Sequence, residues 1–319
     1  MPAFPPALPR LAALTLALAL PLTLPLSSPA QASEAPRLLA TIGMIADPAA
    51  RIAGDCVQVE ALIGPGLDPH LYQPRPSDIQ RLQRADLVVA LGLGLEGRLA
   101  DVLARTGALI LGDGIDPAWL LDDEGAPDPH LWMDPILWSS LLPALADALS
   151  TLAPDCATQI TARMAAEAAL FEALDAWAAE TLASIPDERR VLLTAHDAFA
   201  YFAQRYGLEN LAIQGISTES EPSIAAIDEL AREAAERDIP AVFIETTLSP
   251  RAVRALIEAA GARGHELVIG GELYSDALGE PGSGADSYPG MIMANVTAIA
   301  TALGGTPAPL PPVLESLTD

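Results

Sequence analysis

The feature that most constrains the fold is an uninterrupted stretch from about residue 157 to residue 185, which contains neither glycine nor proline. Its apolar residues recur at helical spacing, which predicts one continuous amphipathic helix between Pro154 and Pro186. At about 1.5 Å per residue this helix is roughly 43 Å long. It therefore divides the chain into two parts and connects them stiffly. The repeating apolar residues are Ile160, Met164, Ala168, Phe171, Leu174, Ala178, Leu182 and Ile185.

Short leucine-rich or β-branched runs lie on both sides of the predicted helix, four in each part. Longer segments with helical spacing separate them, and this alternation favours parallel sheets covered by helices on both faces. The predicted fold class is α/β, with two lobes, each a four-stranded parallel sheet flanked by helices, joined by one long rigid helix. The predicted strands are 38–42, 57–63, 87–91, 108–111, 191–194, 211–216, 241–246 and 267–269. The predicted domains are an N-terminal lobe over 33–153, the linking helix over 154–186 and a C-terminal lobe over 187–319.

The first 32 residues have a composition of their own. Arg10 is their one charged residue, an apolar run follows to about residue 26, and Ala30-Gln31-Ala32 matches an A-x-A cleavage site. This pattern predicts a secretory signal peptide over 1–32, while the short run and its prolines disfavour the alternative of a membrane anchor. We expect an exported, periplasmic protein in which no later stretch is long and uncharged enough to span a bilayer.

Charge excludes two classes of partner. The chain has 17 basic and 42 acidic residues and a formal net charge of -25. Because nucleic acid and anionic membrane surfaces attract clustered positive charge, neither is expected to bind.

The chain contains two cysteines, Cys56 and Cys156. An oxidising compartment permits a disulfide between them, and two buried free thiols are the alternative. Neither has a CxxC partner or an adjacent histidine, so they make a poor metal site.

A short motif occurs twice in the first part of the chain, as D-P-H-L followed by an aromatic residue. Its copies are residues 68–72, with His70, and residues 128–132, with His130. Proline restricts the residue before it to extended conformations, so both histidines are predicted in loops at the rim of the lobe. One such histidine would be typical of a polar surface, whereas two in matching contexts indicate a shared role.

The second part offers further candidate ligands at strand ends. His196 ends an apolar strand, Asp276 follows the last one, and ligands of open parallel sheets bind at the carboxyl ends of strands. Asp276 alone could equally be a turn or helix-cap residue. Glu245 also ends a strand, where it could orient a ligating imidazole or have a structural role. The remaining histidine, His265, lies in a polar turn and is predicted to be exposed and without function.

Three imidazoles and one carboxylate form a set suited to tetrahedral coordination of a metal such as zinc. Their spacing along the chain is weak support by itself. From about residue 38 to residue 303, however, the chain resembles the metal-binding solute receptors of ABC importers, a family of zinc and manganese periplasmic binding proteins. The matching segments are GPGLDPHLYQPRPSDIQRLQRADLVVALGLGLE, PDPHLWMDP, LLTAHDAFAYFAQRYGL, GISTESEPS, IPAVFIETTLSP and GGELYSDALG.

The resemblance implies a ligand set and a function. Residues aligned with His70, His130, His196 and Asp276 bind one metal ion in the cleft between the two lobes in that family. The implied function is capture of one Zn²⁺ as the transported ligand and its delivery to an inner-membrane ABC permease with an ATPase subunit. The receptor is expected to be a monomer that does not span the membrane and is not an enzyme.

Zinc is the predicted metal because the third ligand is His196, where manganese and iron receptors of the family usually have glutamate. The Irving–Williams order also favours zinc over manganese for nitrogen ligands. A long histidine-rich loop found in many zinc receptors is missing before His130, so manganese or iron is the alternative. A secreted zinc hydrolase is a rival class, but the chain has no H-E-x-x-H motif. A surface adhesin of the same fold is a third. Ordinary imidazoles predict that zinc affinity falls between about pH 7 and pH 5.

Overall fold

Strands and helices alternate along the chain, as predicted. The computed structural model describes residues 1–6, 35–123 and 125–317, and the predicted signal peptide lies outside these residues except for its first six. The strands are β1 Arg37–Ala40, β2 Gln58–Ala61, β3 Leu87–Ala90, β4 Leu109–Ile110, β5 Asp122–Asp123, β6 Ala126–Pro127, β7 Val191–His196, β8 Glu209–Gln214, β9 Ala241–Glu245 and β10 Val268–Leu273. The helices are α1 Gly43–Ala53, α2 Pro76–Arg84, α3 Ala100–Thr106, α4 Pro135–Ser139, α5 Leu142–Leu152, α6 Ala157–Ala183, α7 Ala200–Tyr206, α8 Ile224–Glu236, α9 Arg251–Gly261, α10 Tyr288–Ala302 and α11 Pro312–Glu315.

The eight predicted parallel strands all form. In the first half of the chain they make one parallel sheet in the order β2-β1-β3-β4, with Leu38 of β1 opposite Val59 and Leu87 of its two neighbours. In the second half they make two hydrogen-bonded parallel pairs, β7 with β8 and β9 with β10. Strands β7 and β9 lie side by side between these pairs. A small antiparallel hairpin, β5 with β6, is an addition to the prediction.

The structure of β7 explains why this strand has a nearly continuous apolar sequence. All six of its residues are buried. Leu192 faces the main core, which continues into the first half, while Leu193 faces a smaller core formed with α8 and α9. A strand covered on both faces is mostly apolar, because each face excludes water, and the two polar residues of β7, Thr194 and His196, lie toward its carboxyl end.

The helix α6 packs against both halves, which confirms the predicted long helix. Its 27 residues span about 40 Å. It contacts α1, α4 and α5, which precede it in the chain, and α7, α10 and α11, which follow it. Glu167 in its middle is buried and forms an ion pair with Arg51 of α1 at 2.9 Å. The chain from Ala35 onward forms one compact unit, and the predicted domain boundaries at 153/154 and 186/187 stay a prediction.

One apolar segment departs from the sequence prediction. Among the described residues, Pro135–Leu152 is long and apolar enough to cross a membrane by length and composition, with a mean hydropathy of 1.2. The expectation that no such stretch exists was therefore wrong. In the structure the segment is two helices, α4 and α5, and Trp138, Leu145 and Leu149 are buried in the main core. Its hydropathy thus matches that of a core helix pair.

A disulfide connects Cys56, just after α1, to Cys156, at the start of α6. The structure therefore decides between the two alternatives for the cysteines. The bridge joins residues 100 positions apart and fixes the first turn of the long helix to the first half of the chain.

Removing this disulfide should destabilise the protein. Replacing both Cys56 and Cys156 by serine is expected to lower the free energy of unfolding by about 2–5 kcal/mol, because a closed loop of this length restricts the unfolded chain. Urea unfolding followed by circular dichroism measures the change. A reducing agent should bring the wild type to the same midpoint and leave the double variant unaffected. Equal midpoints of wild type and variant without reductant would contradict the expectation.

Candidate metal centre

The structure brings the four predicted ligands together from four separate segments. His70 lies in the loop after β2, His130 in the loop after β6, His196 at the end of β7 and Asp276 three residues after β10. One nitrogen of each histidine and one oxygen of Asp276 all lie within 4.8 Å of one another. His130, His196 and Asp276 are at most 1% exposed and His70 is 5% exposed, so the cluster is almost completely shielded from water.

Asp276 lies at the centre of the cluster. Its carboxylate oxygens are 3.4 Å from His130 Nε2, 3.2 Å from His196 Nε2 and 3.9 Å from His70 Nε2. Both of these oxygens, and Nε2 of His196, are buried without a hydrogen-bond partner. Because buried polar atoms are almost always satisfied, these three atoms point to a ligand that all of them can contact. A metal ion would satisfy them at once.

The repeated D-P-H motif produces the same turn twice. The Oδ1 atom of Asp68 accepts a hydrogen bond from the backbone N–H of His70 at 2.8 Å, and Asp128 does the same for His130 at 2.9 Å. Aspartate readily bonds the backbone two residues later, and the intervening proline has no N–H to compete. The motif therefore fixes the backbone of each histidine in a loop, as the sequence predicts.

Two of the three imidazoles are held by a carboxylate at two points. Asp128 accepts from the Nδ1 atom of His130 at 2.7 Å in addition to its backbone N–H. Glu245 accepts from both the backbone N–H and Nδ1 of His196, at 2.9 and 2.5 Å. A carboxylate on Nδ1 fixes the tautomer, directs Nε2 to the cluster and makes it a better metal ligand. This contact favours the orienting role for Glu245, which the sequence left open.

Three aromatic residues form hydrogen bonds that connect the two halves of the chain near the cluster. The hydroxyl of Tyr201 donates to the carbonyl oxygen of Asp128 at 2.9 Å and accepts from the N–H of Leu121 at 3.0 Å. Trp132, the aromatic residue of the second motif, donates to the carbonyl oxygen of Ser275 at 2.8 Å. The hydroxyl of Tyr288 donates in turn to the carbonyl oxygen of Trp132 at 2.8 Å. These bonds fix the segments that carry His130 and Asp276.

Neither Asp128 nor Tyr201 was assigned a role from the sequence. Asp128 could have been found from the repeat, because each copy of the motif has an aspartate two residues before its histidine. Tyr201 carries no such signal, since its partners lie 73 and 80 residues away.

Burial and neighbouring charges act in opposite directions on the histidines. Burial lowers the pKa of His70 to about 4, because the imidazolium loses its hydration. Burial also acts to lower the pKa of His130, but Asp128 and Asp276 outweigh it and raise this pKa to about 9. His70 and His130 therefore differ in charge near neutral pH.

His196 and Asp276 stabilise each other's charged forms. Burial opposes ionisation of His196, but Glu245 and Asp276 outweigh it and raise the pKa of this histidine well above its usual value. The pKa of Asp276 would be raised by burial, yet the charges of His196 and His130 hold it well below its usual range. These interactions favour the protonated forms of His130 and His196 and the ionised form of Asp276.

His265 is separate from this cluster, as predicted, but it is not exposed. Its side chain is 9% exposed, and its Nε2 atom lies 2.7 Å from the carbonyl oxygen of Ile239. The prediction of exposure was wrong because the turn after α9 folds back onto the segment before β9, where a polar side chain meets a backbone carbonyl group.

Replacing Glu245 by glutamine is expected to lower zinc affinity by about 10–100-fold, the cost typical of lost partners behind a metal ligand. The two oxygens of Glu245 accept separately from the backbone N–H and from Nδ1 of His196, and glutamine would replace one of them by an amide NH₂ that cannot accept. Competition titration against a chelator measures the loss. Glu258→Gln on the exposed face of α9 is the matched control and should bind as the wild type does. A change of less than about threefold in Glu245→Gln would contradict the orienting role.

A buried cluster of three histidines and one aspartate, gathered from both halves of an α/β fold with one long helix, is the kind of site expected in a metal-binding solute receptor. Residues 38–302 match the family described as zinc-uptake complex component A, periplasmic. The chain belongs to this family, which comprises metal-binding solute receptors of ABC importers.

Relatives in this family differ in the metal named for them. The zinc-binding protein TroA of Treponema pallidum is 41% identical over 279 residues, covering 86% of this chain and 91% of TroA. A solved TroA structure covers 84% of this chain and 99% of its own, with a TM-score of 0.82. The manganese-binding lipoprotein MntA of Bacillus subtilis is 38% identical, covering 84% and 89% of the two chains. The Fe(III)-bound structure of YtgA from Chlamydia trachomatis is 30% identical, with coverages of 86% and 100% and a TM-score of 0.78.

Proposed function

We propose that this chain is a periplasmic receptor that captures one Zn²⁺ ion with His70, His130, His196 and Asp276 and delivers it to an inner-membrane ABC permease. The ATPase subunit of the importer supplies the energy, and the receptor acts as a monomer. The observation that carries the proposal is the composition of the cluster, with three imidazole nitrogens and one carboxylate buried together. Three of its atoms have no other partner.

Zinc is favoured over manganese by the donor atoms. Imidazole nitrogen suits zinc, whereas manganese prefers carboxylate, carbonyl and water oxygens, and the Irving–Williams order places zinc above manganese. Manganese or iron is the second candidate, because MntA is named as manganese-binding and the YtgA structure as Fe(III)-bound.

We also propose that the receptor catalyses no reaction. A catalytic zinc site keeps one coordination position for water, whereas four protein ligands complete a tetrahedral site. The chain belongs to a family of transport receptors.

Metal analysis of the protein purified from the periplasm tests the choice of metal. About one zinc per chain is expected, since four ligands of this type complete one tetrahedral zinc site. Excess manganese should fail to displace it. Purification of His130→Ala in the same way separates zinc held by the cluster from zinc bound elsewhere. Recovery of manganese or iron as the tightly held metal would overturn the zinc assignment.

A further inference from the structure

The three histidines of the cluster are not held equally. A carboxylate bonds both the backbone and the Nδ1 atom of His130 and of His196. In the part of the chain that the structure describes, the hydrogen bonds of His70 are its backbone N–H to Asp68 and the contact of its Nε2 with His130 at 3.3 Å. Its ring is therefore fixed mainly through the backbone turn that carries it. His70 is also the most exposed of the four side chains.

That turn is tied to the second half of the chain by one hydroxyl group. The Oδ1 atom of Asp68 accepts from His70, and its Oδ2 atom accepts from the hydroxyl of Thr218 at 2.6 Å. Thr218 lies 150 residues away, in the loop between β8 and α8, and is 7% exposed. A short, largely buried bond to a carboxylate belongs to the stronger class of hydrogen bonds. It connects the two halves of the chain two residues from a predicted ligand.

The loop that carries Thr218 has its own internal bonds. The side-chain amide of Gln214 donates to the carbonyl oxygen of Ser220 at 3.0 Å, and Ser217 accepts from the N–H of Glu219 at 3.3 Å. A second polar contact to the first half, between Arg98 and Glu219 at 3.7 Å, is exposed on both sides. Such a pair is screened by water and contributes little. The bond from Thr218 is thus the stronger of these two connections.

We propose that Thr218 is a positioning residue for metal retention, which acts on His70 through Asp68 from the opposite half of the chain. When the hydroxyl bonds Asp68, the turn keeps His70 directed at the cluster. When the bond breaks, His70 is the ligand that leaves first, because Asp128 and Glu245 still hold the other two imidazoles. Thr218 thereby sets the rate at which the metal is released. This inference rests on the proposed function, since it requires that the cluster holds a metal.

The test is the rate of metal release into excess EDTA, measured by stopped flow on the full receptor loaded with Zn²⁺ and, separately, with Mn²⁺. Thr218→Val keeps the size of the side chain but removes the hydroxyl, and release should be about 10-fold faster, the effect of one hydrogen bond to a charged group. Thr218→Ala should show the same effect without the bulk of valine. Thr218→Ser keeps a hydroxyl and should restore release to near the wild-type rate.

Two variants control for general effects on stability and charge. Thr181→Val removes a buried hydroxyl that accepts from the N–H of Ala308 far along α6, so it should lower the melting temperature and leave release unchanged. Arg98→Ala removes the exposed ion pair and should change release by less than about twofold.

The outcomes separate the two proposals. If the wild type holds zinc and both Thr218→Val and Thr218→Ala release it within twofold of the wild-type rate, the role of Thr218 is overturned. If the wild type holds manganese but not zinc, the zinc assignment fails, and the manganese release rates decide the role of Thr218. If it holds neither metal, both proposals fail.

Discussion

Replacing His196 by alanine should cause the largest loss of zinc affinity of any single substitution in the cluster, at least about 100-fold. The upper end of the cost of losing a partner behind a ligand is already about 100-fold, and loss of the ligand itself should exceed it. The substitution removes one of three nitrogens and leaves no imidazole from the second half of the chain. It also leaves one oxygen of the buried Glu245 carboxylate without the Nδ1 donor that it has in the wild type.

Asp276→Ala should cost less, about 10–100-fold, although Asp276 is central. Three imidazoles can still hold zinc with water in the fourth position. Asp276 also raises the pKa values of His130 and His196, so its removal weakens the competition from protons as well as the attraction for the metal. The two effects partly offset each other.

Chelator competition titrations of both variants at one pH measure this ranking. His265→Ala is the control, because it removes a half-buried histidine that bonds Ile239 and does not touch the cluster. Equal losses for His196→Ala and Asp276→Ala would contradict the ranking. A strong loss in His265→Ala would contradict the ligand set itself.

Local sequence signals were sufficient to predict the long helix and the eight parallel strands, but not the β5–β6 hairpin. The long helix follows from the absence of glycine and proline over 157–185, and β7 follows from its apolar run. The pairing of the strands was harder to predict from the sequence. In the second half they form two hydrogen-bonded pairs, and the neighbours β7 and β9 are joined at their ends by the bond from His196 N–H to the Glu245 side chain. A contact between residues 49 positions apart leaves no periodic trace in either strand.

The residues of the cluster could be predicted from the sequence for a different reason. His70 and His130 share a local motif that determines its own turn. His196 ends a strand and Asp276 follows one, and the ends of such strands meet at one edge of a parallel sheet. Residues that act on the ligands from a distance could not be predicted from the sequence. Thr218 is an ordinary loop threonine until the fold brings its hydroxyl to Asp68, and His265 is polar in sequence yet packed against a backbone carbonyl group.

The second large expected effect is the pH dependence of zinc affinity. Zinc affinity should rise by about 100-fold per pH unit between roughly pH 6 and pH 8, because two protons must leave when the metal binds. One leaves His130, whose pKa is raised to about 9, and the other leaves His196, whose pKa is raised well above its usual value. His70 contributes no proton in this range, since its pKa is lowered to about 4. The metal-bound form carries fewer protons, so affinity falls as pH falls.

This expectation differs from that for three ordinary imidazoles. With a pKa of about 6.5 each, they would together release about 0.7 protons at pH 7, and affinity would become flat above roughly pH 7.5. The cluster should instead release about two protons at pH 7 and gain affinity up to about pH 9, because its carboxylates hold protons on His130 and His196 in the absence of metal. Exchange of two protons for one Zn²⁺ leaves the formal charge of the buried cluster unchanged. Zinc binding therefore adds no net charge to the buried cluster, and such an added charge would be costly.

Calorimetry of zinc binding in two buffers of different ionisation enthalpy counts the released protons directly. A count near two at pH 7 for the wild type is expected. Asp276→Asn should bring it lower, because the carboxylate that stabilises both imidazolium groups is replaced by a neutral amide. His265→Ala should leave the count unchanged. A wild-type count below one at pH 7, together with an affinity that is flat between pH 7.5 and pH 9, would show that the carboxylates orient the histidines without holding protons on them.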